Sequence, residues 1–455
     1  MKHIYTCLFL FIGSVLYAQQ NLTLAECREM ALEHNKQNRI SLMQIDKASQ
    51  DVISYRAKFF PHLTAQGNYL FNSKKAKEVI PSMQIPTLGL SQGVPTPTGD
   101  FIMTPDIPLE FGLNKSWFAG VNLAQPIYMG GKISSAYKMA KLGKEMSFLN
   151  RNLTNTEVVY ETDKAYWTLL KVQELQTVAE HYKKVVEHLL QDVQNAFEVG
   201  MVSRNEILKV QVKLNEAKLQ LRRAENAVRL AKMNLCHVIG VSLLDDISIA
   251  EGALDLSPLD LVKVEDVTLR PEYQLLTKQL DLKHQEVRLT RSDYLPQIGV
   301  VGGWNYYDAL TFNKNKMFKG GSFSALFSVK VPLFQWGEGL SRVRSKKAER
   351  QIALLQREDA SEKMLLEMTM ALNQVDESKL EVEMTTESLA QAEENLKTST
   401  DQFEVGLETL TEHLEAQTLW QKAWAENVKA KAQLRLNETN YLKASGQLTL
   451  DEEVH

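Results

Sequence analysis

The chain has 455 residues, 44% of them hydrophobic and 24% charged, with a net charge of −4 at pH 7. No basic excess marks it for nucleic acid, and three cysteines in so long a chain make no disulfide scaffold. Length alone suggests about three domains, but the pattern along the chain points to one elongated body.

The chain opens with a leader. Lys2 and His3 are a short polar start, Ile4 to Leu16 is apolar, and Ala18 precedes Gln19 as a small residue suited to cleavage. The apolar run falls short of the ~20 residues of a spanning helix. Cys7 lies inside the run rather than at the cut, so no lipid anchor is expected. Residues 1–18 therefore read as a signal peptide. With no second long apolar run, an exported chain is periplasmic, secreted or an outer-membrane barrel, whose short alternating strands escape hydropathy.

Beyond the leader the chain repeats itself. Phe197-Glu198-Val199-Gly200 recurs 206 residues on as Phe403-Glu404-Val405-Gly406, and the same offset links Pro126-Ile127-Tyr128 to Pro332-Leu333-Phe334 and Gly240 to Gly446. Phe60-Pro61-His62-Leu63 resembles Leu295-Pro296-Gln297-Ile298 at an offset of 235. The larger offset requires a longer connection between Pro61 and Pro126 in the first copy. Consistent landmarks of this kind mark two copies of one unit: 19–240 and 267–446, joined by a linker 241–266 and followed by a tail 447–455. Each copy reads helix, strand, loop, strand, long helix, tight turn, helix.

In the first copy, strands are expected at about 62–70 and 116–125; in the second, at about 296–307 and 322–331. Leu63, Ala65, Gly67 and Tyr69 alternate with His62, Thr64, Gln66 and Asn68, and Phe323, Ala325, Phe327 and Val329 alternate with Ser322, Ser324, Leu326 and Ser328. A period of two with one polar and one apolar face suits a membrane barrel strand or a soluble half-buried sheet. Trp117, Trp304, Tyr306 and Tyr69 near strand ends fit an aromatic girdle. Four strands cannot close a barrel, which takes about eight, so membrane strands here would have to be shared among several chains. The stretch Phe71–Lys115, with Pro81, Pro86, Pro95, Pro97, Pro105 and Pro108, reads as an irregular exposed loop with room for short ordered pieces.

Residues 131–196 contain no proline, and neither do 337–402. A helix of about 65 residues is about 100 Å long, too long for a globular core. Val210, Leu214, Ala217, Leu221, Ala224, Val228, Ala231, Leu235 and Val238 form heptads on the next helix, 205–239. In helix 409–445 the matching seam holds Asn427 and Asn437, which weaken pairing and set register. Gly200 and Gly406 stand where helices end on a left-handed residue, so turns are expected at 197–204 and 403–408. No GxSxG, HExxH or Gly-rich phosphate loop is present, so nothing in the residues supports an enzyme.

The leader, the two copies, the paired strands, the very long helices and the two aromatic-x-Val-Gly turns together resemble the TolC-type outer-membrane efflux proteins. The resemblance implies a mixed α/β membrane protein: a trimer whose four strands per chain make a 12-stranded β-barrel, continued by a helical coiled-coil tunnel through the periplasm. It implies no cofactor, no bound metal and no catalysis. Its implied partners are outer-membrane lipid, a periplasmic adaptor and an inner-membrane transporter, with the adaptor docking at Phe197, Val199, Gly200, Phe403, Val405 and Gly406. The alternative is a periplasmic coiled-coil adaptor without a pore.

In the family, acidic residues after the second turn narrow the pore entrance. The matching positions here are Glu412 and Glu415, with Glu206 as the counterpart of Glu412 in the first copy and Lys209 matching Glu415. Where well-studied members carry an arginine two residues after the second glycine, this chain has Glu408, which removes that lock; Arg204 is a candidate substitute. Lys209 is expected to pair with an acid of a neighbouring helix. The resemblance also places Cys27 and Cys236 near the middle of the tunnel, where pairing stays open.

Overall fold

The computed structural model describes residues 21–73, 76–91, 94–112, 116–250, 261–308, 311–312, 315–316 and 319–448. The expected leader, part of the linker and most of the tail lie outside these. In chain order the elements are β1 (Asn21–Leu22), α1 (Leu24–His34), α2 (Lys36–Ala57), β2 (His62–Leu70), β3 (Ala76–Ile80), β4 (Gln84–Ser91), β5 (Val94–Met103), β6 (Ile107–Gly112), β7 (Ser116–Met129), α3 (Lys132–Glu198) and α4 (Arg204–Ile239). There follow β8 (Ser248–Ile249), α5 (Pro271–Ser292), β9 (Gln297–Asp308), β10 (Thr311–Phe312), β11 (Asn315–Lys316), β12 (Lys319–Lys330), α6 (Glu338–Glu404) and α7 (Leu410–Ala444). They form two compact units: one of Ser49–Gly143 and Asp281–Gln351, the other of the described parts of Met1–Ala48, Lys144–Leu280 and Ile352–His455.

The first unit is built on an antiparallel sheet in the order β12-β9-β7-β2. Its register sorts the alternating residues into rows. Ala65, Val121, Trp304 and Phe323 lie side by side across the four strands, and the next row is Thr64, Asn122, Gly303 and Ser324. One face is thus apolar and the other polar. On the polar face Asn122 and Asn305 exchange side-chain hydrogen bonds, at 3.5 and 3.3 Å. Gly120 and Gly303 flank them because a Cβ at either position would collide with the neighbouring asparagine's Oδ1.

The proline-rich connection differs from the irregular loop expected. β4 pairs with β5 and β3 with β6, both antiparallel, and β6 also meets β10. Pro86, Pro95 and Pro97 sit in a two-stranded ribbon, where each strand has one edge outside the pairing, the setting in which a strand tolerates proline. Pro81 and Pro105 fall between strands. Periodicity failed here because these strands have no buried face to impose alternation.

The second unit is helical. α3 and α6 are 67 residues each. Four helix ends close in the same way. At Gly200, the glycine N–H reaches Phe197 O (2.9 Å) and the next N–H, of Met201, reaches Ala196 O (2.9 Å); Gly240, Gly406 and Gly446 repeat the pattern. All four have positive φ, between 72° and 81°, the left-handed closure that glycine adopts without strain. At Gly200 and Gly406 nothing lies within 4 Å of an added Cβ, so conformation rather than space requires the glycine.

The heptad seam of α4 buries Val210, Leu214, Ala217, Ala231, Leu235 and Val238. The seam asparagines of α7 bond across to α6: Asn427 Nδ2 donates to Thr386 Oγ1 (2.9 Å), and Asn437 Nδ2 donates to the Ser378 hydroxyl and to Gln374 O (3.3 Å). Register is therefore written into α7 by groups that only one alignment satisfies. The first helix of the unit breaks in two at Asn35, whose side-chain amide donates to Val238 O at 2.7 Å. Cys27 and Cys236 are both buried thiols in one apolar cluster with Tyr166, Leu169 and Ile239. Beside it, Asp163 is fully buried and accepts two 2.7 Å bonds from Arg28, which joins α1 to α3.

Candidate functional site

The residues singled out by sequence gather where α3, α4, α6 and α7 reach their turns. Phe197, Val199, Met201, Val405 and Leu407 are exposed at the turns, with Leu407 80% accessible. Two cavities adjoin them. One, of about 1050 Å³, is lined by Glu408, Glu412 and Glu415 together with Lys209, Lys213 and Lys422. The other, of about 1180 Å³, is lined by Asp192, Glu206, Lys209, Glu404, Glu408 and His413 among others. Glu412 and Glu415 line the same cavity, and Glu408 lines both.

Each acid has a different setting. Glu412 is the third residue of a capping box: its Oε2 accepts from Thr409 N (2.9 Å) and Thr409 Oγ1 (2.8 Å), while its own N–H donates to Thr409 Oγ1. The bonds from Thr409 hold its carboxyl below the usual range. Glu412 is therefore an anion fixed at a helix N-terminus, where the dipole also favours it. Glu415, one turn on, is exposed. Glu408 has one buried oxygen, Oε2, without a hydrogen-bond partner. Lys209 pairs at 3.1 Å with Glu206 of its own helix rather than with an acid of a neighbouring helix; the i,i+3 spacing makes the local pair the cheaper one. Arg204, the first residue of α4, is exposed.

His413 was missed by sequence reasoning. It is 4% exposed and stacks on Phe403 with ring centroids 4.8 Å apart. Gln417 Nε2 donates to His413 Nε2 (2.8 Å), so Nδ1 carries the proton and donates to Ser399 Oγ (2.9 Å). Gln417 Oε1 is left buried without a partner. Burial pushes the imidazole below its ordinary value, against the pull of Glu408 and Glu404. The signal was available: Leu410, His413, Leu414 and Gln417 follow the i, i+3, i+4, i+7 pattern of a buried face. At the offset of 206, the first copy carries Val193 and Ile207 where the second has Ser399 and His413. The second turn has exchanged an apolar contact for a polar one.

Among the described residues no group of three or more potential ligands could hold a metal ion, and no helix is long and apolar enough to cross a membrane.

The chain matches the family model described as "Outer membrane efflux protein" over residues 27–241 and 269–447, two segments that coincide with the two copies. It is 25% identical to the alkaline protease secretion protein AprF of Pseudomonas aeruginosa over 236 residues, covering 50% of this chain and 48% of that protein. It is 20% identical to the outer membrane efflux protein BepC of Brucella suis, covering 73% of each. The fold is also that of solved channels. The CmeC outer membrane channel of Campylobacter jejuni superposes with a TM-score of 0.74 at 17% identity, covering 94% of this chain and 87% of that one. The open state of the Neisseria gonorrhoeae MtrE outer membrane channel gives 0.72 at 17% identity, with 94% and 90% covered.

Proposed function

This chain belongs to the outer membrane efflux protein family, and we propose that three copies form one channel that carries solutes or polypeptides out through the outer membrane. The four-stranded sheet carries the reading. It has one apolar and one polar face, ends on two edges, β2 and β12, and has half the strands that a closed barrel needs. Copies joined edge to edge would satisfy both edges and turn the apolar face to lipid. The channel is passive and has no catalytic residue; the energy comes from an inner-membrane transporter. A periplasmic adaptor docks at the exposed turns around Val199, Met201, Val405 and Leu407.

The acids of the second turn act as a filter. In a trimer, Glu408, Glu412 and Glu415 form stacked rings of negative charge, with Glu206, Lys209 and Arg204 at their margin. Such rings attract cations, most strongly where the passage is narrow.

Light scattering of the detergent-purified protein, followed by single-channel recording, tests both parts. A trimer with small, cation-preferring conductance is expected. Replacing Glu412→Gln and Glu415→Gln together keeps the capping bonds and removes the charge, so cation preference should fall while the fold is unchanged. A water-soluble monomer that never inserts would transfer the chain to the adaptor-like reading.

A further inference from the structure

The junction between β12 and α6 contains a residue that its own sister copy shows to be costly. In the first copy, the chain leaves β7 and enters α3 through Met129-Gly130-Gly131-Lys132, with φ of 63° and 87° at the two glycines. At the offset of 206 the second copy reads Gln335-Trp336-Gly337-Glu338. Trp336 has φ of 49° and Gly337 84°, and Glu338 N donates to Gln335 O at 2.9 Å. Positive φ at both central positions is the tight turn that glycine, asparagine and aspartate dominate. Trp336 is the only non-glycine at positive φ among the described residues. A bulky side chain is strained in that region, and here no burial offsets it: Trp336 is 91% exposed.

The surroundings of Trp336 are equally exposed. Leu333 is 91% and Phe334 71% accessible, and the Phe334 and Trp336 rings meet edge to face at 4.9 Å. Leu333 continues the apolar parity that runs from Phe323, Phe327 and Val329 of β12 through Val331, all of them exposed. Just beyond, the first turns of α6 carry Arg342 and Lys346, which pair with Glu338 and Glu349 at 2.8 Å, and the exposed Arg344 and Lys347. Apolar strand residues, then an aromatic pair, then a cluster of cations is the order met when passing from the hydrocarbon of a bilayer through its interface to its phosphates.

We propose that Leu333, Phe334 and Trp336 form an interfacial anchor that sits in the periplasm-facing phospholipid leaflet and fixes the depth of the barrel, with Arg344 and Lys347 on the headgroup phosphates. The proposal rests on the channel reading, which puts the apolar sheet face against lipid. The indole suits this position because its ring is apolar and its N–H stays wet. The strained turn aims it there, and an unstrained glycine could not replace it.

The full-length protein is reconstituted into phosphatidylethanolamine–phosphatidylglycerol vesicles whose acyl chains are brominated either near the headgroup or near the chain end. The emission lost on Trp336→Phe isolates the signal of Trp336. That signal should be quenched at least about twofold more by the near-headgroup bromine. Trp117 and Trp304, on the strands, act as internal controls: if they are quenched and the Trp336 signal is not, the anchor is wrong while the channel reading stands. If no tryptophan is quenched, the channel reading fails first. Trp336→Gly supplies a second readout. It should hold or raise the thermal midpoint in detergent, because strain is relieved, and leave the trimer intact. A trimer that falls apart in Trp336→Gly would mean that the surface meets a second copy of the chain, and would overturn the lipid assignment.

Discussion

At the scale of single residues, the second turn is organised by His413 and Glu412. The neutral imidazole of His413 accepts from Gln417 and donates to Ser399. Protonation would set the new Nε2–H against the Gln417 N–H, unless the Gln417 amide turned to offer its buried, unpartnered Oε1. Because the folded value of His413 is depressed, the unfolded chain binds more protons below about pH 6.5. Its contribution to stability is thus full above that value and is lost as pH falls through it. The charged or titratable groups around the same cavity are His188 and Asp192 of α3, Glu206 and Lys209 of α4, Glu404 of α6 and Glu408 of the turn. Hydrogen exchange of the amides of 399–417 should therefore lose protection on going from neutral to mildly acidic pH, after correction for intrinsic rates. The pair Ser399→Val and His413→Ile, which copies the first turn, should flatten that dependence; equal pH sensitivity in the variant would remove His413 from the account. Glu412 has a separate role. Thr409→Ala should cost about 1 kcal/mol at the start of α7, seen as faster exchange in its first turn, whereas Glu412→Gln should leave those amides protected.

At the scale of elements, helix ends and cross-helix bonds decide the geometry. Gly406→Ala forces a Cβ into the left-handed region and should lower local protection at the turn by about 1 kcal/mol. The Arg28–Asp163 pair is a different case: Asp163 is fully buried and its carboxyl is pushed up by burial, against the bonds from Arg28. Asp163→Asn removes the buried charge that Arg28 pairs with in α3 and should destabilise the α1–α3 contact by about 3 kcal/mol. Adding Arg28→Met should recover much of that loss, measured as the thermal midpoint in detergent. If the single and double variants melt alike, the pair contributes no specific coupling.

At the scale of the whole molecule, the charges of the second turn act over a distance set by salt. If the acidic rings filter ions, cation preference in single-channel recordings should weaken from 0.1 M to 1 M salt, since the screening length shrinks from about 10 Å to about 3 Å. A preference that does not change with salt would place selectivity elsewhere, in a constriction rather than in a field.

Sequence alone determined the repeat, because offsets of 206 at three landmarks survive any ambiguity in helix ends, and it determined the strands and long helices, because periods of two and of 3.5 are read directly from side chains. The closing glycines were equally legible, since φ > 0 leaves few residues to choose from. The acids Glu412 and Glu415 were placed by spacing, yet spacing does not show that one caps its own helix while the other stays exposed. Tertiary structure decided that, together with the ribbons in 76–112, whose prolines mask strands that have no buried face. It also decided the partners of His413, whose buried face the spacing in α7 already suggested, because the bond to Ser399 exists only where α6 packs on α7. Trp336 belongs to the same class: its letter was visible, but its strain exists only in the turn that the sheet and helix impose on it.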